Sequence, residues 1–301
     1  MRPDAFAAVM ATGIVSVAAL DHGYRVISVS LAVVAVVLLP VLVVASILTW
    51  RREKWSLRDP DVSFGLFTYV AGCCVLTTRL ADHRIALVIL LPLAAQGWAS
   101  LGPMVARSVW RQGWTGARDR THGGWELASV ATSGMAMALV VADALFWALI
   151  LWALALAVYL AVTGLLVWRW AHDPAARRLT EPDNWIVMGG LAIATLAGEH
   201  IHQALTAGPF ADAVRVVTIV TWVLATLWIP VLLTLGLRRV TAWPAVFPLG
   251  MYSSATFAVS AETGWAGLDV VSLAFCWIAL VAWVLTAVPA LGRVAGALPQ
   301  R

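Results

Sequence analysis

Long apolar stretches of two kinds alternate along this chain. A stretch rich in Gly, Ala, Ser and Thr comes first in each unit, and a bulkier one such as LAVVAVVLLPVLVVASIL follows it. The first kind opens near Ala5, Val62, Trp125, Asn184 and Pro244, so the intervals are 57, 63, 59 and 60 residues by subtraction. A period of this length indicates one structural unit repeated five times.

The length of the apolar stretches predicts helices that cross a membrane. The uncharged run 26–50 exceeds the roughly 20 residues that a spanning helix needs, whereas strands of membrane barrels alternate over about ten residues. Only 12% of the 301 residues are charged, against about 25% in soluble domains. We therefore expect an all-α membrane protein, with ten transmembrane helices arranged as five tandem helical hairpins around a central pore.

The whole chain, 1–301, is predicted to be a single transmembrane domain. The gaps 51–61, 110–124 and 169–183 are too short for a soluble domain, and the first stretch has no cleavage site typical of a signal peptide. The approximate helices are 5–20, 26–50, 62–80, 84–109, 125–142, 144–168, 184–204, 213–237, 244–261 and 268–290.

The basic residues predict the orientation in the membrane. If the N-terminus is inside, 20 Lys and Arg residues divide so that all but four lie on the inner side. The exceptions are Arg25, Arg79, Arg84 and Arg215. Because cytoplasmic loops carry an excess of Lys and Arg, we expect both termini in the cytoplasm and the chain in the cell's plasma (inner) membrane.

The small and polar residues of the first kind of stretch have two interpretations. They permit close packing of helices, or they leave room for a path and offer hydroxyl groups to an ion. Their concentration in every second stretch favours a pore, because packing alone gives no reason to skip alternate helices. The predicted pore-lining residues are Thr12, Gly13, Ser16, Thr68, Gly72, Thr132, Ser133, Gly190, Gly250 and Ser254.

The ninth stretch contains a candidate gate. Pro248 lacks a backbone N–H and is expected to kink the helix. Phe247, Gly250, Ser254 and Phe257 share one helical face by steps of three and four residues. An apolar ring on a pore-facing surface can stop ions, although periodicity alone favours packing of Phe247 between helices.

Ionisable residues are absent from the centres of the stretches, which favours passive conduction over driven transport. Glu126 is expected to cap a helix. In GEHIHQ, Glu199 and His202 form a candidate pair in an outer vestibule, whereas His200 and His202 point to different faces and so do not predict a metal site. We found no enzyme motif, and we expect no cofactor and no nucleic-acid partner.

Two motifs resemble a known family. The stretch PDAFAAVMATGIVS, residues 3–16, and the stretch WPAVFPLGMYSSAT, residues 243–256, resemble the first and ninth helices of the TehA-like tellurite-resistance and C4-dicarboxylate transporter family. Malate permeases, sulfite efflux pumps and plant slow-type anion channels also belong to it. The resemblance implies a homotrimer with a pore in each subunit, lined by the odd-numbered helices and occluded by a phenylalanine at the position of Phe247.

The function that follows is passage of small anions or organic acids through a phenylalanine-gated pore. A proton-linked exporter of C4-dicarboxylates, sulfite or tellurite on the same fold is the alternative, with Glu199 and His202 as candidate groups. A membrane-embedded haem protein is a hypothesis of another class, which would need His pairs facing one another deep in the bundle. A visible absorption spectrum of the purified protein without a Soret band would exclude this hypothesis.

Overall fold

The computed structural model describes residues 2–53, 55–57, 59–173, 182–234 and 242–296. Some residues used in the topology prediction lie outside this part of the chain, as does the end of the predicted helix 213–237. They are Lys54, Arg58, Arg177, Arg178, Arg238, Arg239 and Arg301.

Ten α-helices make up almost all of the described chain. They are α1 (Ala7–Asp21), α2 (Arg25–Glu53), α3 (Pro60–Arg79), α4 (Arg84–Arg120), α5 (Leu127–Val141), α6 (Leu145–His172), α7 (Trp185–Ala204), α8 (Pro209–Thr234), α9 (Trp243–Thr263) and α10 (Leu268–Gly296). Short 3₁₀ turns precede three of the odd-numbered helices, at Pro3–Phe6, Gly123–Glu126 and Pro182–Asn184. The all-α prediction is therefore confirmed for the described residues.

Several helices are longer than the sequence predicted. The largest difference is α4, which continues eleven residues past the predicted end at 109, to Arg120. Gly113, with φ 66° and ψ 179°, interrupts its helical backbone, so residues 114–120 form a separate turn. The prediction missed this turn because its polar residues, RQGWTGARDR, carry no apolar period.

The odd-numbered helices form a closed inner ring. Each contacts its two odd-numbered neighbours, in the order α1, α3, α5, α7, α9 and back to α1. Each even-numbered helix packs against the odd-numbered helix of its own hairpin and against that of the next. The five hairpins therefore stand side by side, with their first helices inside and their second helices outside.

Burial separates the two rings. Over 18-residue stretches, α1, α3 and α5 with their preceding turns are 72 to 83% buried, whereas the five even-numbered helices are 17 to 33% buried. Eight helices are long and apolar enough to cross a membrane by length and composition. The inner helices α7 and α9 are not among these eight, because Glu and His in α7 and Ser, Thr and Pro in α9 reduce their apolar character.

Glycines lie where the inner helices meet. A Cβ on Gly13 of α1 would lie 2.9 Å from Val75 of α3, and one on Gly189 of α7 would lie 2.9 Å from the Pro248 ring of α9. Similar contacts of 3.1 to 3.3 Å surround Gly72 at the same α1–α3 seam, and Gly134 and Gly250 at other seams. The close approach of the inner helices thus depends on missing side chains.

Indole N–H groups of the outer ring tie neighbouring hairpins together. Trp98, Trp152, Trp222 and Trp283 lie on α4, α6, α8 and α10, and each donates to the first helix of the next hairpin. The acceptors are Thr132 Oγ1 (2.9 Å), the Ala194 carbonyl (2.8 Å), Thr256 Oγ1 (3.0 Å) and Thr12 Oγ1 (2.8 Å). The bond from Trp283 to Thr12 joins the fifth hairpin to the first and closes the ring.

Candidate pore and the two ends of the helix ring

The predicted pore-lining residues do not share one environment. Thr12 and Thr132 accept bonds from outer-ring tryptophans and donate 2.7 Å bonds to the carbonyls four residues earlier. Thr68 donates to the Gly65 carbonyl (2.6 Å). The hydroxyls of Thr12 and Thr132 therefore point toward the outer ring, away from the centre.

The four glycines of the prediction also face neighbouring helices. Gly13 and Gly72 lie at the seam between α1 and α3, and Gly250 lies against Ile14 of α1. Gly190 faces the ring of Tyr159 on α6. These positions fit the packing interpretation that the sequence left open, and their role in lining a path stays a prediction.

Ser16 belongs to a polar cluster between α1, α2 and α3. It donates to the Ser28 carbonyl and Ser28 donates to the Ser16 carbonyl, both at 2.7 Å. The Arg79 guanidinium donates from Nε to Ser16 Oγ (2.9 Å) and from Nη2 to Ser28 Oγ (2.8 Å). Arg79 is the last residue of α3, so this cation lies at the end of the ring where the odd-numbered helices finish, which we call the C-end.

Two predicted hydroxyls make no hydrogen bond within the described residues. Ser133 Oγ is fully buried on α5, and Ser254 Oγ on α9 faces the carboxyl of Asp21 without completing a hydrogen bond to it. A buried hydroxyl without a partner costs about 1–3 kcal/mol. These two groups are therefore the members of the set that have a free hydroxyl to offer, and their role in lining a path stays a prediction.

Contacts on α9 assign most of its circumference to particular neighbours. Around the helix, Pro248 contacts Gly189 of α7 first, and Tyr252 and Thr256 then contact Thr226 and Trp222 of α8. Ser253 follows and bonds with Ser272 of α10. Gly250 and Ser254 come last, and they face Ile14 and Asp21 of α1. The helix is continuous through Pro248, and the predicted kink there stays a prediction. Phe247 is 0% exposed.

At the C-end, the predicted pair of Glu199 and His202 is joined by a residue from another helix. Glu199 Oε1 accepts a 3.0 Å bond from Gln203 Nε2 rather than from His202. His202 Nδ1 lies 3.7 Å from Glu262 Oε1 of α9, and Arg215 Nε of α8 lies 2.8 Å from the same oxygen. Glu199, His202 and Glu262 place ligand atoms within 4.8 Å of one another.

The opposite end, where the odd-numbered helices begin, carries a second ionic cluster; we call this the N-end. His122, just before α5, bonds through Nδ1 to Asp183 before α7, and its Nε2 lies 3.4 Å from Asp61 Oδ1 of α3. Burial favours the neutral ring, but the two carboxylates outweigh it and raise the pKa of His122 to about 9. A protonated His122 thus joins the beginnings of three inner helices.

Glu126 does not cap its helix as expected. Its side chain makes no capping hydrogen bond. Instead Oε1 accepts from Thr163 Oγ1 of α6 at 2.6 Å, and the fully buried Oε2 has no hydrogen-bond partner within the described residues. The carboxyl therefore lies between helices inside the bundle.

Sequence reasoning missed His122, Asp61, Asp183 and Glu262. Each partner in these clusters lies about one repeat from the next, since 61 residues separate Asp61 from His122 and His122 from Asp183. Glu262 likewise lies sixty residues after His202. The repeat was the available signal: ionisable residues at equivalent positions of successive units meet at one end of a ring.

Comparison with known proteins decides the family. The family described as SLAC1, voltage-dependent anion channel, matches residues 1–291. The chain belongs to this family. The resemblance of the two helix motifs to TehA-like proteins is thereby confirmed, and membership implies anion transport across a membrane by a multi-pass protein. Members of the SLAC1 family are channels and transporters rather than enzymes.

Two relatives from Mycobacterium tuberculosis support the membrane assignment. Each carries the description "uncharacterized membrane protein", one in strain CDC 1551 / Oshkosh and one in strain ATCC 25618 / H37Rv. Both are 30% identical to this chain over an alignment of 158 residues, gaps included, that covers 46% of this chain and 78% of the relative.

Proposed function

We propose that this SLAC1-family chain conducts small anions or organic acids along a path enclosed by its five odd-numbered helices, and that Phe247 gates the path. In this proposal all ten helices span the plasma membrane, both termini are cytoplasmic, and three chains associate through their outer helices. The single observation that carries it is the closed inner ring in a chain of an anion-channel family.

The placement of contacts around α9 supports Phe247 as the gate. Successive residues of a helix turn by about 100°. Taking Pro248 toward α7 as zero, residues that contact α8, α10 and α1 occupy directions from about 40° to about 240°. Phe247 falls at about 260° and Met251 at about 300°, in the remaining sector between α1 and α7. That sector faces the interior of the ring.

Residues from the other inner helices meet in the same interior. A Cβ on Gly134 of α5 would lie 3.1 Å from Cys74 of α3 and 3.7 Å from Ile193 of α7. Three inner helices therefore meet closely around Gly134, and the side chains beside it border the centre of the ring. An interior bordered by Phe247, Met251 and Ile193 is apolar, and an apolar constriction stops ions until it widens.

Charge at the C-end supports an anion as the permeant species. Arg79 is held by serine hydroxyls, and among the described residues no carboxylate oxygen forms an ion pair with it within 4 Å. Asp21 and Asp82 act on it only as nearby charges. A guanidinium with donors to spare raises the local concentration of anions at a channel mouth.

The gate is tested by anion currents in planar bilayers containing purified protein. We expect Phe247→Ala to increase the current severalfold, with reversal potentials that follow the anion gradient. Phe275→Ala is the matched control, because Phe275 lies on α10 and packs edge-on against Tyr252 at 4.6 Å between ring centroids. Equal currents from wild type and Phe247→Ala, with folded oligomers, would remove Phe247 as the gate.

Glu126 favours the proton-linked alternative. An intramembrane carboxyl is a functional candidate because proton relays use such groups, and Glu126 has one oxygen without a partner among the described residues. If the chain is a proton-linked exporter, liposome uptake of malate or sulfite follows an imposed pH gradient, and Glu126→Gln abolishes that dependence. Equal uptake with and without the pH gradient would exclude the proton-linked exporter, and the passive pore would remain as the hypothesis.

A further inference from the structure

We propose that Glu199, His202 and Glu262 form a binding site for a divalent transition-metal ion of the Zn²⁺ class at the C-end of the ring. Two of the ligands come from α7 and the third from α9. The proposal concerns metal binding by the folded chain, and it does not depend on which anion passes or on the role of Phe247.

The donor set is one that zinc takes in proteins. Glu199 and His202 stand three residues apart on α7, so both point to one face of the helix. The same Glu-x-x-His spacing places metal ligands in helical-bundle carboxylate proteins. Glu262 adds a second carboxylate, and His with Glu makes a set that zinc accepts, with a fourth position left to water.

The distances allow closure around an ion. The three ligand atoms lie within 4.8 Å of one another, and His202 Nδ1 is 3.7 Å from Glu262 Oε1. In a tetrahedral site with bonds of 2.0–2.2 Å the ligand atoms stand about 3.4 Å apart. Rotation of the side chains supplies the difference, without movement of the helices.

One unsatisfied ring nitrogen and one buried carboxyl group point to a missing ligand. His202 Nδ1 is shielded from solvent and has no hydrogen-bond partner within the described residues. Glu199 is 1% exposed, and Gln203 supplies its one bond. A buried carboxylate needs a cation or several donors, and a metal ion at this point would satisfy Glu199 and His202 together.

Arg215 shares Glu262 with the proposed ion. Its Nε lies 2.8 Å from Oε1, the oxygen that also lies 3.7 Å from His202 Nδ1, so a turn of the Glu262 carboxyl would present Oε2 to a metal. With Arg215 present, the two carboxylates and one guanidinium carry a net charge of about −1 when His202 is neutral, so a divalent ion is still attracted. Sequence reasoning did not predict a metal site, because His200 and His202 point to different faces of the helix. The fold brings Glu262 to His202 as a third ligand.

A bound ion would connect α7 to α9, which are neighbours in the inner ring. Binding of the ion would therefore fix the C-end of α9 to that of α7.

Isothermal titration of ZnCl₂ into purified, EDTA-treated protein without a polyhistidine tag tests the site directly. We expect one saturable site per chain, and a loss of affinity of at least about tenfold in His202→Ala and in the isosteric Glu262→Gln. His200→Ala is the matched control, since His200 bonds the Leu196 carbonyl through Nδ1 and points away from Glu262.

Cobalt absorption gives a second readout that needs no transport. Co²⁺ in the wild-type site should show d–d bands between 500 and 700 nm, and the bands should vanish in Glu262→Gln. Absence of saturable zinc binding to wild-type protein would overturn the site. An equal loss in His200→Ala and His202→Ala, in variants that elute like wild type, would also overturn it. Loss of zinc binding with intact anion currents would leave the proposed function standing.

Discussion

The inner and outer helices of this protein have exchanged the roles that hydropathy would assign to them. The most apolar helices, the even-numbered ones, are the least buried, at 17 to 33% of an 18-residue stretch, and Ser, Thr and Gly are concentrated on helices buried to 72% or more. The reason is that lipid accepts apolar side chains, whereas helices surrounded by four other helices require small residues. In this fold the more apolar a helix is, the less of it is buried by the rest of the protein.

The comparison predicts that a Gly→Ala substitution destabilises the protein on an inner helix and does not destabilise it on an outer helix. Gly189→Ala on α7 would place a Cβ 2.9 Å from the Pro248 ring and 3.3 Å from its Cα, so we expect a loss of about 1–3 kcal/mol in the free energy of unfolding. Gly164→Ala on α6 meets nothing within 4 Å and should raise stability by up to about 1 kcal/mol. Denaturation in mixed micelles measures both, and equal changes would contradict the division into two rings.

The N-end cluster predicts that the inner ring loosens at alkaline pH. Because the pKa of His122 is raised from 6.5 to about 9, its contribution is complete below pH 6.5 and is lost as the pH rises through 9. The side chain is 33% exposed, so solvent screening reduces the effect to about 1–2 kcal/mol.

Thermal unfolding measured from pH 6 to pH 10 checks this, with His122→Gln expected to flatten the dependence in that range. His172→Gln is the control, because His172 lies on the outer helix α6 and bonds the Trp168 carbonyl. A pH dependence that survives His122→Gln would mean that another group loosens the ring.

The bonds between rings should contribute less. Trp222→Phe removes the 3.0 Å bond to Thr256, and hydrogen bonds between membrane helices contribute about 0.6 kcal/mol on average. Trp147 lies on α6 and is 60% exposed, so Trp147→Phe should change the free energy of unfolding by less than about 0.6 kcal/mol. A double-mutant cycle of Trp222→Phe with Thr256→Val isolates the energy of this bond. A coupling free energy near zero would show that other contacts replace the bond in the Trp222→Phe variant.

The sequence predicted the helices well because each repeat carries its own signal. It located ten helices and their pairing in hairpins from the sixty-residue period. It failed where the period fails, at residues 110–120, where a polar segment continues α4 around Gly113. The count of ten spans stays a prediction, since α7 and α9 are too polar to be recognised as spans by composition.

The site was less predictable because the direction of a side chain depends on the neighbours. Thr12 and Thr132 looked like pore residues, yet both accept bonds from tryptophans of neighbouring hairpins, 271 and 34 residues away along the chain. His202 and Glu262 meet only because α7 and α9 are adjacent in the ring. A list of polar residues on the correct helix does not reveal which of them face the centre.

The central claim is that the path runs inside the ring along the Phe247 and Met251 side of α9. We would measure the reaction of single introduced cysteines with a charged, membrane-impermeant thiol reagent. The background protein carries Phe247→Ala to open the proposed gate, and its native Cys73, Cys74 and Cys276 are replaced by Ala. The account predicts that Met251→Cys reacts and that its modification blocks the anion current, whereas Tyr252→Cys, which faces α8, does not react. Rapid reaction at Tyr252→Cys with none at Met251→Cys would contradict it.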